Sequence, residues 1–166
     1  FCNHAVPVVQ RADLSRSVVA RLAGRRAMDL AGVTNEGLQH VDLYSCFPAA
    51  VQITARELGI PLERQLTVTG GMTFAGGPLN SYALHSTARM AEVLRADPLS
   101  VGLVTSVSGF LTQFGAALWS TEPGIHGWRG EDVTAEAAAE DQPLPEVEDP
   151  GDDVRVVAGT VTHARD

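Results

Sequence analysis

Hydroxyl and thiol side chains occur at two places where a short apolar run of the sequence ends. Tyr44, Ser45 and Cys46 follow one such run, and Ser106 ends another. A tyrosine hydroxyl can donate a hydrogen bond or act as a general acid, and a cysteine thiolate is a nucleophile. Serine needs a paired base, because its hydroxyl stays protonated at neutral pH. A reaction at these side chains would therefore depend on hydrogen bonding and proton transfer.

Each candidate also has an ordinary structural explanation. Tyr44 can be an interior aromatic with a satisfied hydroxyl, Cys46 a small buried residue and Ser106 a solvated or capping serine. His85, the histidine of the helix predicted after the glycine-rich segment, can point toward a pocket or be structural. The remaining histidines and the two cysteines show no ligand spacing, so we predict no metal site and no disulfide framework.

Two glycine clusters precede that helix, Gly70-Gly71 and Gly76-Gly77-Pro78. One interpretation of the second cluster is a tight turn with proline at the first helical position. The other is that backbone N–H groups of Gly76 and Gly77 at the helix start bind an anion or an oxyanion. The two interpretations are compatible.

The elements that must position these residues alternate between helices and strands. Apolar residues at helical spacing predict a first helix with Asp13 as N-cap and Gly32 as its end. In order along the chain we predict a helix over 14–31, a strand over 41–44, a helix from Pro48 to Gly59, a strand over 66–69, a helix opened by Gly76-Gly77-Pro78 and ended by Asp97-Pro98, and strands over 101–106 and 114–119. Strands separated by helices pair in parallel, and the last two are expected to form an antiparallel hairpin. The pattern predicts an α/β domain, with helices on the faces of a layered mixed sheet.

Charge is concentrated near the C-terminal end. The formal net charge is -8, and residues 130–153 hold ten Asp or Glu and no Lys or Arg, so the rest of the chain is nearly neutral. With few large apolar residues, this stretch is predicted to be an acidic linker that buries little surface. We therefore divide the chain into a domain at 1–129, the linker at 130–153, and at 154–166 an ordered tail or the first strand of a further, OB-like module.

Several classes of protein are disfavoured by composition. No apolar run reaches the roughly 18 residues of a membrane span, and no signal peptide is visible, so a cytoplasmic location is the expectation. No basic stripe with interleaved aromatics suggests nucleic-acid binding. Because the sequence starts at Phe1 and ends in what looks like an unfinished strand, we expect a fragment of a longer protein.

Three segments carry a resemblance to the thiolase superfamily. Residues 41–47 stand where that family has Asn-Glu-Ala-Phe or His-Asp-Cys-Phe, and residues 70–79 match Gly-Gly-x-x-x-x-Gly-His-Pro-Leu without a gap. Residues 105–109 fall where Cys-x-Gly ends a strand. The similarity spans roughly residues 14–122 and is that of a C-terminal half. It resembles actinobacterial thiolase-like proteins of the acetyl-CoA acetyltransferase class, in which an OB-like extension follows.

This resemblance implies a coenzyme A thioester as substrate, no further cofactor, and a nucleophilic cysteine in an N-terminal half. It also implies that familiar catalytic groups are replaced here. Gly77 stands where the family has its histidine base, Ser106 where it has the second cysteine, and Tyr44 and Ser45 where it has the Asn-Glu or His-Asp pair. The candidate catalytic residues are then Tyr44, Cys46, His85 and Ser106, and the candidate substrate-binding residues Ser45, Gly76, Gly77 and Gly109.

Three functions remain open at this point. The first is acyl-CoA binding, with acyl or acetyl transfer or related C–C bond chemistry of lipid metabolism when an N-terminal half completes the site, through pairing or a homo-oligomer. The second is a non-catalytic binding or assembly module, suggested by the losses at Gly77 and Ser106. The third is an aldolase-like variant in which Tyr44 acts as acid or base.

Overall fold

The computed structural model describes residues 1–124, 126–149, 151 and 155–156. Within them lie four strands and five α-helices: β1 (Cys2–Asn3), α1 (Val18–Ala31), β2 (His40–Asp42), α2 (Pro48–Leu58), α3 (Met72–Ala75), α4 (Tyr82–Ala96), β3 (Gly102–Ser108), β4 (Gln113–Trp119) and α5 (Thr134–Glu140). The alternation of helices and strands predicted from the sequence is confirmed for most of the chain.

The strands form one mixed sheet in the order β1-β4-β3-β2. β2 and β3 pair in parallel, with His40 opposite Gly102, as expected for strands joined through a helical crossover. β3 and β4 form the predicted antiparallel hairpin, and β1 adds a short antiparallel pair at the far edge of β4. β1 was not predicted, because two residues carry no periodic signal.

Helices cover the two faces of the sheet. On one face, α1 and α2 bury residues such as Val19, Ala23 and Leu58 against apolar side chains that include Phe114 and Leu103. On the other face, Met90 and Leu94 of α4 pack on Val104. Successive residues of a strand point to opposite faces, so Leu103 and Val104 belong to different layers. The result is the layered α/β arrangement predicted above.

The ends of the first two helices have clear local causes. Ser17, and not the predicted Asp13, is the N-cap of α1, because the Ser17 hydroxyl accepts the Ala20 amide at 3.1 Å. Asp13 instead accepts the Ser15 amide and hydroxyl in a turn before the helix. Gly32 and Gly59 follow their helices in the left-handed conformation, as predicted for C-terminal stops.

The predicted strand at 66–69 is wrong. Leu66 accepts one hydrogen bond, from the Leu43 amide, but the Val68 and Thr69 amides donate to the side chain of Asp42. A side-chain carboxylate therefore takes the donors that a neighbouring strand would have used.

The predicted start of the third helix is also wrong. The short helix α3 precedes the second glycine cluster, and α4 begins only at Tyr82 after a turn in which Ser81 donates to the Pro78 carbonyl. Gly76 ends α3, its amide donating to the Met72 carbonyl at 3.0 Å.

The acidic stretch at 130–153 is not free of packing. It contains α5, and Val133 and Ala137 are buried against the α1 layer. The expectation that this stretch buries little surface fails for these residues. Their small apolar side chains and the ion pairs of neighbouring residues hold the short helix α5 on α1. Its assignment as a linker between domains stays a prediction. The predicted module at 154–166 lies outside the described residues except at Arg155 and Val156.

None of the helices in the described part of the chain is long and apolar enough to cross a bilayer.

Candidate functional site

A buried carboxylate organises the carboxyl end of β2. Asp42 is fully buried, and its two oxygens accept five hydrogen bonds. Oδ2 accepts the Val68 amide and the Thr69 amide and hydroxyl at 2.8 to 3.0 Å. Oδ1 accepts the Tyr82 hydroxyl at 2.9 Å and the Ser86 hydroxyl at 2.7 Å. These donors replace the hydration that burial removes.

The geometry follows from strand and helix periodicities. In β2, Val41 points into the α1–α2 layer, so the next residue, Asp42, points toward α4. Tyr82 and Ser86 are one helical turn apart on α4 and reach the same carboxylate oxygen. Strand and helix are thereby joined at one point.

Tyr82 connects this carboxylate to the glycine-rich loop. Its hydroxyl lies 2.7 Å from the Thr69 hydroxyl and 3.3 Å from Ser45 Oγ. Burial raises the pKa of Tyr82, and the Asp42 charge adds to the rise against the opposing hydrogen bonds with Ser45 and Thr69. The phenol is therefore a neutral donor at physiological pH, suited to positioning its neighbours.

Ser45 is occupied by contacts within the chain. Its hydroxyl oxygen accepts the Met72 amide at 2.9 Å, which fixes the start of α3 beside β2. A side chain at Gly71 would come within 3.1 Å of that oxygen, and Gly71 has a φ of 82°. Glycine is therefore required there on both counts. The predicted role of Ser45 in substrate binding stays a prediction.

Tyr44 stands beside this network and is half-buried. Its ring contacts that of Tyr82 edge to face, with centroids 5.3 Å apart, and its amide donates to the Thr105 hydroxyl at 2.9 Å. Burial raises the pKa of the Tyr44 hydroxyl, and the nearby Cys46 adds to the rise. Tyr44 therefore stays protonated at neutral pH, where it can donate a hydrogen bond or a proton but is not available as a general base.

Tyr44 and Ser106 line the same open pocket, of about 480 Å³. Its other walls come from β1, the start of α4 and the β3–β4 hairpin: Phe1, Cys2, Asn3, Asn80, Ala83, Val107, Ser108, Gln113, Phe114 and Gly115. Ser106 is paired with Gly115, where a side chain would come within 2.5 Å of the Ser106 hydroxyl oxygen. The glycine therefore leaves room for that hydroxyl.

The lining of this pocket combines polar and apolar side chains and includes no charged one. It offers amides and hydroxyls as donors and acceptors, but no Asp, Glu, His, Lys or Arg is among its lining residues. The described lining therefore includes no general base for Ser106.

The other predicted site residues lie elsewhere. Cys46 is exposed, and His85 lies 3.4 Å from the Ser81 hydroxyl. Neither is among the residues that line the pocket. A side chain at Gly77 would contact Tyr82 and Met72.

Gly76 and Gly77 do not stand at the start of a helix, where an anion site was expected. The Gly76 amide is used to close α3, and α4 begins several residues later. Gly109, with a φ of 56°, forms the hairpin turn with Thr112. Gly76, Gly77 and Gly109 are not among the residues that line the pocket, and their roles in substrate binding stay predictions.

Sequence reasoning missed the residues at the centre of the network. Asp42, Thr69, Tyr82 and Ser86 were not singled out. An aspartate that ends an apolar strand, together with hydroxyls at one-turn spacing on a later helix, was the available signal. Across the described residues, no group of three or more His, Cys, Asp or Glu side chains is placed to hold a metal.

Comparison with known proteins finds similarity to solved structures but not to curated sequences. No protein-family model matches the chain, and no curated protein sequence does. A crystal structure of a monomeric SCP2-thiolase like protein type 1 from Mycobacterium smegmatis superposes with a TM-score of 0.75 at 30% sequence identity. The match covers 84% of this chain and 31% of that protein, so the chain spans about a third of its relative's length. The helices, the mixed sheet and this superposition establish that the chain has a thiolase-like fold.

Proposed function

We propose that the chain is part of a thiolase-like protein and contributes one wall of a site that binds acyl-CoA thioesters. The observation that carries the proposal is that Tyr44 and Ser106, far apart in sequence, line one pocket within a thiolase-like fold. Both hydroxyls can donate a hydrogen bond to a thioester carbonyl, whose oxygen becomes more negative during acyl transfer.

Catalysis would need groups from outside this chain. Acyl or acetyl transfer, or related C–C bond chemistry, requires a nucleophile and a base, and the described lining of the pocket offers neither in an activated form. We propose that an N-terminal thiolase half supplies them. The similar protein is monomeric and about three times as long as the matched part, which favours completion within one polypeptide over a homo-oligomer.

Isothermal titration of the whole protein with acetyl-CoA and longer acyl-CoAs tests this proposal. Tyr44→Phe and Ser106→Ala should each weaken binding by about tenfold, as expected for the loss of one hydrogen bond to the ligand. Ser120→Ala is the matched control, since the Ser120 hydroxyl is exposed and bonds only the Glu122 carbonyl. Binding heat that is absent for every acyl-CoA would overturn the proposal.

The alternative is a non-catalytic binding or assembly module. Two observations favour it: Gly77 has no side chain with which to transfer a proton, and His85 lies outside the pocket. A thiolysis assay of the whole protein separates the two functions. Turnover that is lost in Tyr44→Phe would rule out the non-catalytic module.

An aldolase-like reaction is the third function, and the raised pKa of Tyr44 restricts it. Tyr44 could serve as the acid, but the base would have to come from another segment. Cleavage of a 3-hydroxyacyl-CoA that is unaffected by Tyr44→Phe would remove this role.

A further inference from the structure

The acidic segment at 131–146, called the strap below, lies across α1 and β1. The strap is anchored by two small apolar side chains, Val133 and Ala137, which are buried together with Cys2, Val19 and Ala23. Its helix, α5, has seven residues, which is too short to be stable by itself in water. Contacts outside this small apolar anchor must therefore contribute to holding it.

Ion pairs to α1 supply part of those contacts, and hydrogen bonds to residues 1–10 supply the rest. Arg26 binds Glu131 and donates to both carboxylate oxygens of Glu136 at 2.9 Å, while Arg21 binds Glu140. Arg26 is only about a third exposed. Farther along, the Gln10 carbonyl accepts the Leu144 amide at 2.8 Å. The acidic composition of the strap thus matches two arginines of α1, Arg21 and Arg26.

The strap also holds β1 from its outer side. The Val133 amide donates to the Phe1 carbonyl at 3.0 Å, and the Asn3 amide donates to the Thr134 hydroxyl at 2.9 Å. On its inner side β1 pairs with β4 over only two residues. Asn3 lines the Tyr44–Ser106 pocket, and its side-chain carbonyl accepts the Gln113 amide at 3.0 Å. One wall of the pocket is thus supported by the strap.

We propose that ion pairs to α1 hold the strap in place, and that the strap fixes β1 and thereby controls one wall of the pocket. Ion pairs at a protein surface weaken as salt rises, whereas the two small apolar anchors do not. Segments with few buried contacts open locally at a lower free energy than the whole domain. Release of the strap would leave β1 held by its short pairing with β4, by the backbone hydrogen bond from His4 to Thr112 and by the packing of Cys2 on α1. For ligand control, this inference rests on the proposed function of the pocket.

Cys2 reports the opening without any ligand. Its thiol is buried beside Thr134 of the strap, whereas Cys46 is exposed. Alkylation of the chain with iodoacetamide, a neutral reagent, can be followed at both cysteines by peptide mass spectrometry. Cys46 then serves as the internal reference for reagent and pH.

Arg26→Gln should raise the ratio of Cys2 to Cys46 alkylation rates by about fivefold, since it removes both charged contacts of that side chain. Glu136→Gln should raise it less, and 0.5 M NaCl should raise it in the wild type more than in Arg26→Gln. Arg89→Gln is the matched control, because it breaks an exposed ion pair with Glu92 on α4. Its ratio should stay at the wild-type value.

Any of three results would overturn this proposal. They are an unchanged ratio of Cys2 to Cys46 alkylation rates in Arg26→Gln and Glu136→Gln, an equal rise of that ratio in Arg89→Gln, and no change of the wild-type ratio with salt. Acyl-CoA titration of Arg26→Gln then separates the two proposals. If acyl-CoA binds the wild type and the variant equally while the Cys2 ratio rises, control of the pocket is overturned and the proposed function stands. If acyl-CoA binds neither, the proposed function fails and the Cys2 ratio alone decides whether the strap opens.

Discussion

At the level of single residues, the unusual group is Asp42, a buried carboxylate without an ion-pair partner among the described residues. Burial of an unpaired charge is costly unless hydrogen bonds replace its hydration. Here two backbone amides and three hydroxyls do so. They come from the loop at 68–69 and from α4, so one side chain fixes the positions of that loop and of α4 relative to β2.

Replacement of Asp42 by asparagine should therefore be strongly destabilising. The amide group would turn a donor toward atoms that already donate, and we expect a loss of about 2–4 kcal/mol in the free energy of unfolding. Urea denaturation measures it. Asp97→Asn is the control, because its exposed pair with His40 should contribute less than about 1 kcal/mol. Similar losses in both variants would contradict this role for Asp42.

A second buried carboxylate, Glu57, differs from Asp42 in that it has arginine partners. Burial alone would raise the pKa of Glu57, but the hydrogen bonds from Arg16 and the Ser17 amide, with the charges of Arg16 and Arg21, lower it below its ordinary value. A lowered folded-state pKa stabilises the protein above the unfolded pKa of about 4.3. This contribution is lost as the pH falls through the folded-state value.

Glu57→Gln should accordingly cost about 2 kcal/mol at pH 7 and progressively less below pH 4. Urea denaturation of both proteins from pH 7 to pH 3 gives the two curves. A constant difference across that range would show that the ionisation of Glu57 is not the cause.

At the level of secondary-structure elements, the contact between α4 and the sheet requires a residue without a side chain. A Cβ atom at Gly102 would lie 2.2 Å from Met90 Sδ and 3.0 Å from Met90 Cγ. Gly102→Ala should cost about 1–3 kcal/mol of unfolding free energy by separating helix from strand. Gly115→Ala, on the neighbouring strand, would meet only the terminal oxygen of Ser106 and should cost less.

Thermal or urea unfolding of the two glycine variants provides the comparison. Met90→Ala should cost less in the Gly102→Ala background than in the wild type, because there it also removes the obstructing atoms and so makes the two changes non-additive. Strict additivity would indicate that the close approach is not what makes Gly102 necessary.

Elements defined by local signals were predictable from the sequence. The apolar spacing of α1 predicted its end correctly and its start about four residues too early, and the Pro48 and Gly59 boundaries of α2 match the observed ones. The failures have long-range causes. The strand expected at 66–69 gives its donors to Asp42, which lies at the end of a different element.

The strap was missed for the same kind of reason. Its arginine partners are more than 100 positions away, and its apolar anchors are small. Of the site, the sequence indicated Tyr44 and Ser106, which share a pocket, but also Cys46 and His85, which do not line it. Orientation on a helix face or in a loop could not be read from residue type alone.

For the whole molecule, the notable feature is exposed apolar surface around the start of α4. Phe74, Leu79 and Leu84 are 83%, 97% and 72% exposed. Exposed apolar side chains that are close in sequence are typical of surfaces that another segment covers. Their position near the pocket agrees with the proposal that an N-terminal half completes the protein.

Leu79→Ser combined with Leu84→Ser should lower binding of a hydrophobic dye to the isolated chain while changing its stability by less than about 1 kcal/mol. Dye fluorescence and urea denaturation measure the two effects. Leu103→Ser is the contrasting control, since Leu103 is fully buried and its replacement should unfold the domain. Unchanged dye binding in the double variant would show that these leucines do not form the accessible surface.

The link between β1 and the strap has a consequence for the order of folding. The hydrogen bond from Asn3 to Thr134 joins positions 131 apart, so the cost of closing that loop must be met before the contact forms. The β3–β4 hairpin and the α1 layer can assemble without it. The strap should then dock after the rate-limiting step, so that its contacts slow unfolding and leave the folding rate nearly unchanged.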